Sequence, residues 1–280
     1  MAAPTDIHNM ALFCDFENVA LGVRDAKYAK FDIARVLERL LLKGSIVVKK
    51  AYCDWERYKE FKSSMHEAAF ELIEIPHVRQ SGKNSADIRM VVDALDLCYT
   101  KAHVDAFVIL SGDSDFSPLV SKLRENNKVV IGVGVKNSTS DLLIANCDEF
   151  IYYDDLVRED EAKRKRAARK APARGAAGES RKVPAKAPLS SATDKRQEAL
   201  DLVVGTVEAL LAERDAGDKV WGSMVKQTLK RQRPGFNESY YGYRAFGDLL
   251  EDAQAQQLIV LSLDEKSGGY TVRMAREAGA

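Results

Sequence analysis

What most constrains this chain is a series of short apolar runs that recur between stretches of helical spacing. Met10 to Phe16, Ala106 to Leu110 and Val129 to Val135 have the length of buried strands and far less than a membrane span. Ile46 to Tyr52, Leu72 to Ile75 and Phe150 to Tyr153 also read as strands. Between them, Asp32 caps a helix with Ile33, Val36, Leu37 and Leu40 on one side, which Lys43-Gly44 closes. Tyr58, Phe61, Met65 and Ala68 mark another helix. Asp87 opens a third, with Ile88, Val91, Val92, Leu95 and Tyr99 as its expected apolar stripe. A fourth follows Phe116 and runs through Leu123, and 138–141 reads as a further helix start. Some six alternations of strand and helix predict an α/β fold, a Rossmann-like and mostly parallel sheet flanked by helices.

Acids stand where such a sheet places its ligands. The run Ala106 to Leu110 stops at Ser111-Gly112 and is followed at once by Asp113 and Asp115. The run Met10 to Phe16 ends around Asp15, with Glu17 and Asn18 just beyond. In a Rossmann-like order the first and fourth strands are neighbours at the switch point. Asp15 then falls beside Asp113 and Asp115, and Asp87 reaches in from the helix before strand four. Close carboxylates repel unless a proton or cation is shared. Four on one edge call for a cation, and oxygen-only ligation points to magnesium or manganese rather than zinc. Taken alone, Asp113 and Asp115 also suit an Asp-rich turn that caps the next helix.

The formal net charge of zero hides an uneven distribution. Basic and acidic residues number 19 and 24 in 1–157, 13 and 5 in 158–196, and 10 and 13 in 197–280. The middle stretch therefore suits a polyanion-binding or solvated linker. Rich in Lys, Arg, Ala, Pro and Gly, and without an apolar period, 158–194 is expected to be a disordered linker. Lys163 to Lys170 can begin it as a helical extension. The cysteines Cys14, Cys53, Cys98 and Cys147 form no C-x-x-C pair and read as reduced core thiols. With neither a signal-peptide pattern nor a spanning run, the expected location is cytoplasmic, with no membrane partner.

Beyond the linker, Ala199, Leu202, Val203, Val207, Leu210 and Leu211 share a helix face. Helices are also expected over about 221–231 and 236–250, followed by a hairpin of 258–263 and 270–273. Three helices and a hairpin make a winged-helix plan. Phe236, Tyr240, Tyr241, Tyr243 and Phe246 read as packing before base stacking. Lys226, Arg231, Arg233 and Arg244 are candidates for a nucleic-acid surface or a solvated face.

Three ordered segments resemble the NYN domain, a branch of the PIN-like ribonucleases. They are CDFENV around Asp15 and Asn18, KNSADIRMVVDAL around Lys83, Asp87 and Asp93, and ILSGDSDFSPLVSKL around Asp113 and Asp115. The stretch Trp221 to Val260, through FNESYYGYRAFGDLLE above all, resembles the OST-HTH (LOTUS) domain, which is then expected to span 195–276. The resemblance implies a metal-dependent ribonuclease domain in 1–157, with Mg2+ or Mn2+ as cofactor and Asp15, Asp87 and Asp113 as ligands. It implies that Asp115 and Asn18 hold water at the metal or support its ligands. Ser111 and Ser114 are then expected near the scissile phosphate and Lys83 at the RNA backbone. Asp93 recurs in the family pattern but points away from the expected stripe, so a structural or solvated role is weighed equally. RNA is the implied partner, with a protein partner for the C-terminal domain as the other choice. One or two divalent ions would activate the attacking water, and no histidine is positioned by sequence as general base.

Two other readings compete. A haloacid-dehalogenase-type phosphatase also uses strand-end aspartates, but needs a second Asp where this chain has Glu17. An RNA-binding adaptor with weak or no nuclease activity would keep the same fold.

Overall fold

The computed structural model describes residues 7–28, 30–75, 85–170, 189–213, 219–264 and 268–275, with the side chains of 162–170 and 189–193 excepted. The chain divides into two compact units, Met1–Arg164 and Lys165–Ala280.

In the first unit, β1 (Asn9–Asp15) leads directly into α1 (Phe16–Asp25). Then come α2 (Ile33–Leu41), β2 (Ser45–Cys53), α3 (Lys59–Glu67) and β3 (Glu71–Glu74). Next are α4 (Ser85–Thr100), β4 (Ala106–Leu110), a 3-10 turn (Ser114–Phe116) and α5 (Ser117–Glu125). β5 (Val129–Gly134), α6 (Asp141–Asn146), β6 (Glu149–Tyr152) and α7 (Tyr153–Lys170) complete the unit. The six strands form one sheet in the order β3-β2-β1-β4-β5-β6, all pairings parallel. The predicted neighbourhood of strands one and four is therefore present, with Cys14 opposite Leu110 in the β1–β4 register.

Successive residues of a strand face opposite sides, so a strand buried on both faces must be apolar throughout. Leu12, Cys14, Val108 and Leu110 pack on one side with Val19 and Val23 of α1 and Val36 and Leu40 of α2. Ala11, Phe13, Phe107 and Ile109 pack on the other with α4, α5 and α6 through Met90, Ala94, Leu119, Leu123 and Leu143. Burying a side chain of this size contributes about 1.5–3 kcal/mol.

Several sequence readings change. Phe16 does not continue the first strand. It opens α1, a helix absent from the sequence reading, and packs among Phe31, Trp55, Tyr58 and Phe61 at centroid distances of 4.9–6.0 Å. The buried stripe of α4 is Met90, Ala94 and Cys98, whereas Ile88, Val92 and Tyr99 face solvent. Apolar residues surround this helix, so spacing alone fits either stripe, and small or flexible side chains take the face pressed against β1 and β2. The stretch expected to be irregular from 158 is helical through Lys170, as the helical extension read for Lys163 to Lys170 allowed, and α8 (Leu189–Ala212) already covers 189–194. Residues 171–188 lie outside the described residues.

The second unit contains α8, β7 (Val220–Trp221), α9 (Gly222–Gln232), α10 (Phe246–Ala255), β8 (Ile259–Leu263) and β9 (Tyr270–Met274). Its strands form an antiparallel sheet, β7-β9-β8, and the expected hairpin is β8–β9. The expected helix 236–250 begins only at Phe246. Asn237 Oδ1 accepts from Ser239 N at 3.0 Å in a local turn, and Gly242 has φ +92. Asp248 then accepts from the Arg244 and Ala245 amides at 3.2 Å and starts α10. Phe236 and Tyr243, buried with Leu249 and Val203, are packing residues as read.

A Cβ on Gly132, in β5, would collide with the Phe150 ring and press on Cys147 Sγ, whereas one on Gly205, exposed within α8, would meet nothing. Gly132→Ala should therefore destabilise the first unit by about 1–3 kcal/mol. Gly205→Ala should stabilise the second by up to about 1 kcal/mol. Urea unfolding of each full-length variant, followed by circular dichroism, checks both signs.

Candidate functional site

The carboxyl ends of β1 and β4 lie side by side, and the residues just past them form the acidic edge. Asp15 ends β1 and caps α1, its Oδ1 accepting from Asn18 N at 3.3 Å. Its Oδ2 accepts from Ser111 Oγ at 3.0 Å, across the strand pair. The same Ser111 hydroxyl oxygen accepts from Asp113 N at 3.2 Å. Asn18 Oδ1 accepts from Gly112 N at 2.8 Å, so the first turn of α1 grips the loop after β4. Gly112 cannot carry a side chain here, because a Cβ would strike the Ser138 carbonyl. Asp113 in turn caps the 3-10 turn, its Oδ1 accepting from Asp115 N at 2.9 Å.

The electrostatics are those of crowded acids. Asp15 is only 7% exposed. Burial first, and the charges of Asp87 and then Asp113, push its carboxyl up to about 7, against the Asn18 and Ser111 hydrogen bonds. Asp87, in the first turn of α4, is pushed up to about 6 by burial and by Asp113, Asp115 and Glu17. Asp15, Asp87, Asp113 and Asp115 thus lie within one electrostatic neighbourhood, as the strand order predicts. The donors are carboxylate oxygens, the chemistry that suits magnesium or manganese and not a soft metal. Among the described residues, no group of three His, Cys, Asp or Glu side chains is arranged to hold a metal ion.

Other predicted residues fall in different places. Ser111 is fully buried and its hydroxyl is engaged by Asp15 and Asp113, so it braces the acids from behind and presents nothing to a phosphate. Asn18 likewise commits its carboxamide oxygen to Gly112. Ser114 is half-buried in the 3-10 turn and Asp115 is exposed. Asp93 is tied into a structural cluster: Tyr52 donates to it at 2.9 Å, Arg89 lies at 3.1 Å and Lys50 at 3.5 Å. Lys83 lies outside the described residues. Arg231 and Arg233 are exposed around the end of α9, and Arg244 is exposed before α10, all in the second unit.

Two residues of this edge were given no role by the sequence reading. Glu17 adds its charge to Asp87, and its Oε1 holds Arg57 Nη1 at 3.0 Å. Arg57 follows β2, so it brings a half-exposed cation toward the acids. The clue was the E of CDFENV, whose place in the first turn of a helix was hidden by reading Phe16 as strand.

Residues 9–154 match the NYN domain family. An uncharacterized protein of Methanocaldococcus jannaschii is 25% identical over 156 residues, which cover 56% of this chain and 60% of that protein. The chain thus spans well under two thirds of that relative's length. A crystal structure of a protein of unknown function from Vibrio parahaemolyticus shares 27% identity at a TM-score of 0.48, covering 55% of this chain and 98% of that one. With the family match extending over more than half of its length, from β1 to the start of α7, the chain belongs to the NYN domain family, whose fold is that of the PIN-like nucleases.

Proposed function

We propose that this chain is a metal-dependent ribonuclease whose acidic edge hydrolyses RNA phosphodiester bonds. The observation that carries this reading is the acidic edge itself, where buried Asp15, tied through Ser111 to the loop of Asp113, meets the charges of Asp87 and Asp113; burial first, and those charges after it, raise its carboxyl to about 7. A divalent cation relieves that repulsion, and its charge then suits the site to a polyanion. Asp15, Asp87 and Asp113 would hold Mg2+ or Mn2+. Such an ion, when bound, supplies Lewis acidity to the phosphodiester and lowers the pKa of water.

The chain's own residues do the remaining work. Ser111 fixes the orientation of Asp15 and, through the Asp113 amide, ties the two acids into one unit. Asn18 holds the loop that carries Asp113 and Asp115. Asp115, exposed beside them, orients water at the reacting phosphate. Ser114 would meet the RNA backbone, a role that the sequence alone also assigns to Lys83, and Arg57 offsets the acidic surroundings that would otherwise repel a phosphate.

The second unit is read as an OST-HTH (LOTUS) winged-helix module. Support comes from its helices and antiparallel sheet and from the exposed Arg231, Arg233 and Arg244. These arginines would bind RNA phosphates and deliver substrate. The adaptor reading shares this RNA-binding surface but not the cleavage.

Cleavage of a labelled single-stranded RNA by the purified chain, with Mn2+, Mg2+ or EDTA, tests the nuclease reading. Cutting should require the metal. Asp113→Asn should abolish it while leaving RNA binding largely intact, and Ser111→Ala should lower the affinity for the activating metal by about 10–100-fold. Binding without cutting in either metal would favour the adaptor, and unchanged cutting by Asp113→Asn would remove the assigned site.

For the second unit, a full-length variant with Arg231→Ala, Arg233→Ala and Arg244→Ala should bind RNA more weakly and with a shallower salt dependence. Each lost phosphate contact should lower the slope by about 1. An unchanged slope would transfer this surface to a protein partner.

A further inference from the structure

The solvent face of α4 is apolar where a solvent face should be polar. Ile88 is 63% exposed, Val92 56% and Tyr99 64%, and Leu95 between them is half-buried. Their spacing of four, three and four residues sets all four side chains in one stripe along the helix. Across the helix, Met90, Ala94 and Cys98 occupy the core; of the outer stripe Leu95 leans against that core, while Ile88, Val92 and Tyr99 are exposed. Apolar stripes of this spacing are the seams through which helices pair.

Two features of the stripe identify its occupant. The spacing reads the same in both directions. An identical helix laid antiparallel therefore sets Ile88 opposite Tyr99 of the other copy, and Val92 opposite its Leu95. One flank of the stripe carries Arg89 and Asp96, both exposed and seven residues apart. In an antiparallel pair that flank meets its own copy, so Arg89 of each helix faces Asp96 of the other, twice over. An interface that complements itself in shape and in charge is the signature of a two-fold dimer.

We infer that the chain forms a homodimer through antiparallel pairing of α4 along Ile88, Val92, Leu95 and Tyr99, with two Arg89–Asp96 ion pairs across the two-fold axis. Within its own helix Arg89 Nε pairs with Asp93 at 3.1 Å, further round from the stripe, so the contact with Asp96 of the other copy uses the remaining N–H groups of its guanidinium. The helix has 16 residues, about 24 Å of length at 1.5 Å per residue. A seam of that length falls short of the roughly 800 Å² per partner of a standard stable interface, so the dimer dissociates on dilution. This inference is independent of the nuclease reading, because it uses no residue of the acidic edge.

Sedimentation velocity of the full chain, freed of RNA and run across the micromolar range, tests it. The expected result is a concentration-dependent monomer–dimer equilibrium. Val92→Glu should leave monomer throughout, with an unchanged melting temperature because Val92 is exposed. Arg89→Glu and Asp96→Lys should each weaken the dimer about tenfold, by setting like charges together twice. Combined in one chain they should restore it, which no merely structural effect on α4 would do. A wild-type monomer at every concentration overturns the inference, as it would if the second unit or another partner covers the stripe. A dimer indifferent to Val92→Glu, or a charge exchange that fails to restore association, also overturns it.

Discussion

The hydrogen bond from Ser111 Oγ to Asp15 Oδ2 joins the two strands on whose ends the acidic edge depends. It exists because β1 and β4 are parallel neighbours, an arrangement that puts both carboxyl ends on the same side of the sheet. The strand order itself follows from runs apolar on both faces, which must lie at the centre with helices on either side. The Ser111 oxygen then accepts the Asp113 amide, and Asn18 accepts the Gly112 amide. One buried hydroxyl and one carboxamide therefore convert a pairing of strands into a fixed placing of two acids.

That placing is costly. Asp15 carries a carboxyl raised from its ordinary value to about 7, so between roughly pH 4 and 7 the folded chain holds a proton that the unfolded chain has released. Stability from this group is greatest at the acid end of that window and is lost as pH rises through it, by up to about 1.4 kcal/mol per pH unit. A divalent cation bound at this edge, as proposed above, would offset that cost. The aromatic nest around Phe16 and the core contacts of Phe13 and Phe107, on the two faces of the sheet, offset part of the cost.

Much of this arrangement was legible in the sequence. The strands, the neighbourhood of the first and fourth, and the closeness of Asp15 to Asp113 follow from apolar runs that end in acids, and Asp87 joins them from the start of the helix before strand four. What escaped was set by tertiary contacts. Phe16 reads as a strand residue until Trp55 and Phe61 arrive to receive it. The α4 stripe could be read on either face, because apolar residues surround the helix and only contact with the sheet selects Met90, Ala94 and Cys98. Ser111 looked like a phosphate contact, but its burial shows it to be a brace. Asp93, weighed evenly from its position on the helix, is held by Tyr52, Lys50 and Arg89, partners distributed over a strand and its own helix. The start of α10 depends on Asp248 reaching back to two amides, a geometry that the aromatic pattern before it does not announce.

The central claim, that repelling carboxylates form a site for a divalent cation, is tested most directly by melting temperature against pH with and without Mn2+. Without metal, the wild type should lose stability from about pH 5 to 8, and Asp15→Asn should lose less and melt higher at pH 8. Mn2+ should raise the wild-type melting temperature at pH 8, do so much less at pH 5 where protons compete, and have little effect on Asp15→Asn. A Mn2+ effect that is absent at pH 8, or equal in wild type and Asp15→Asn, would contradict the account.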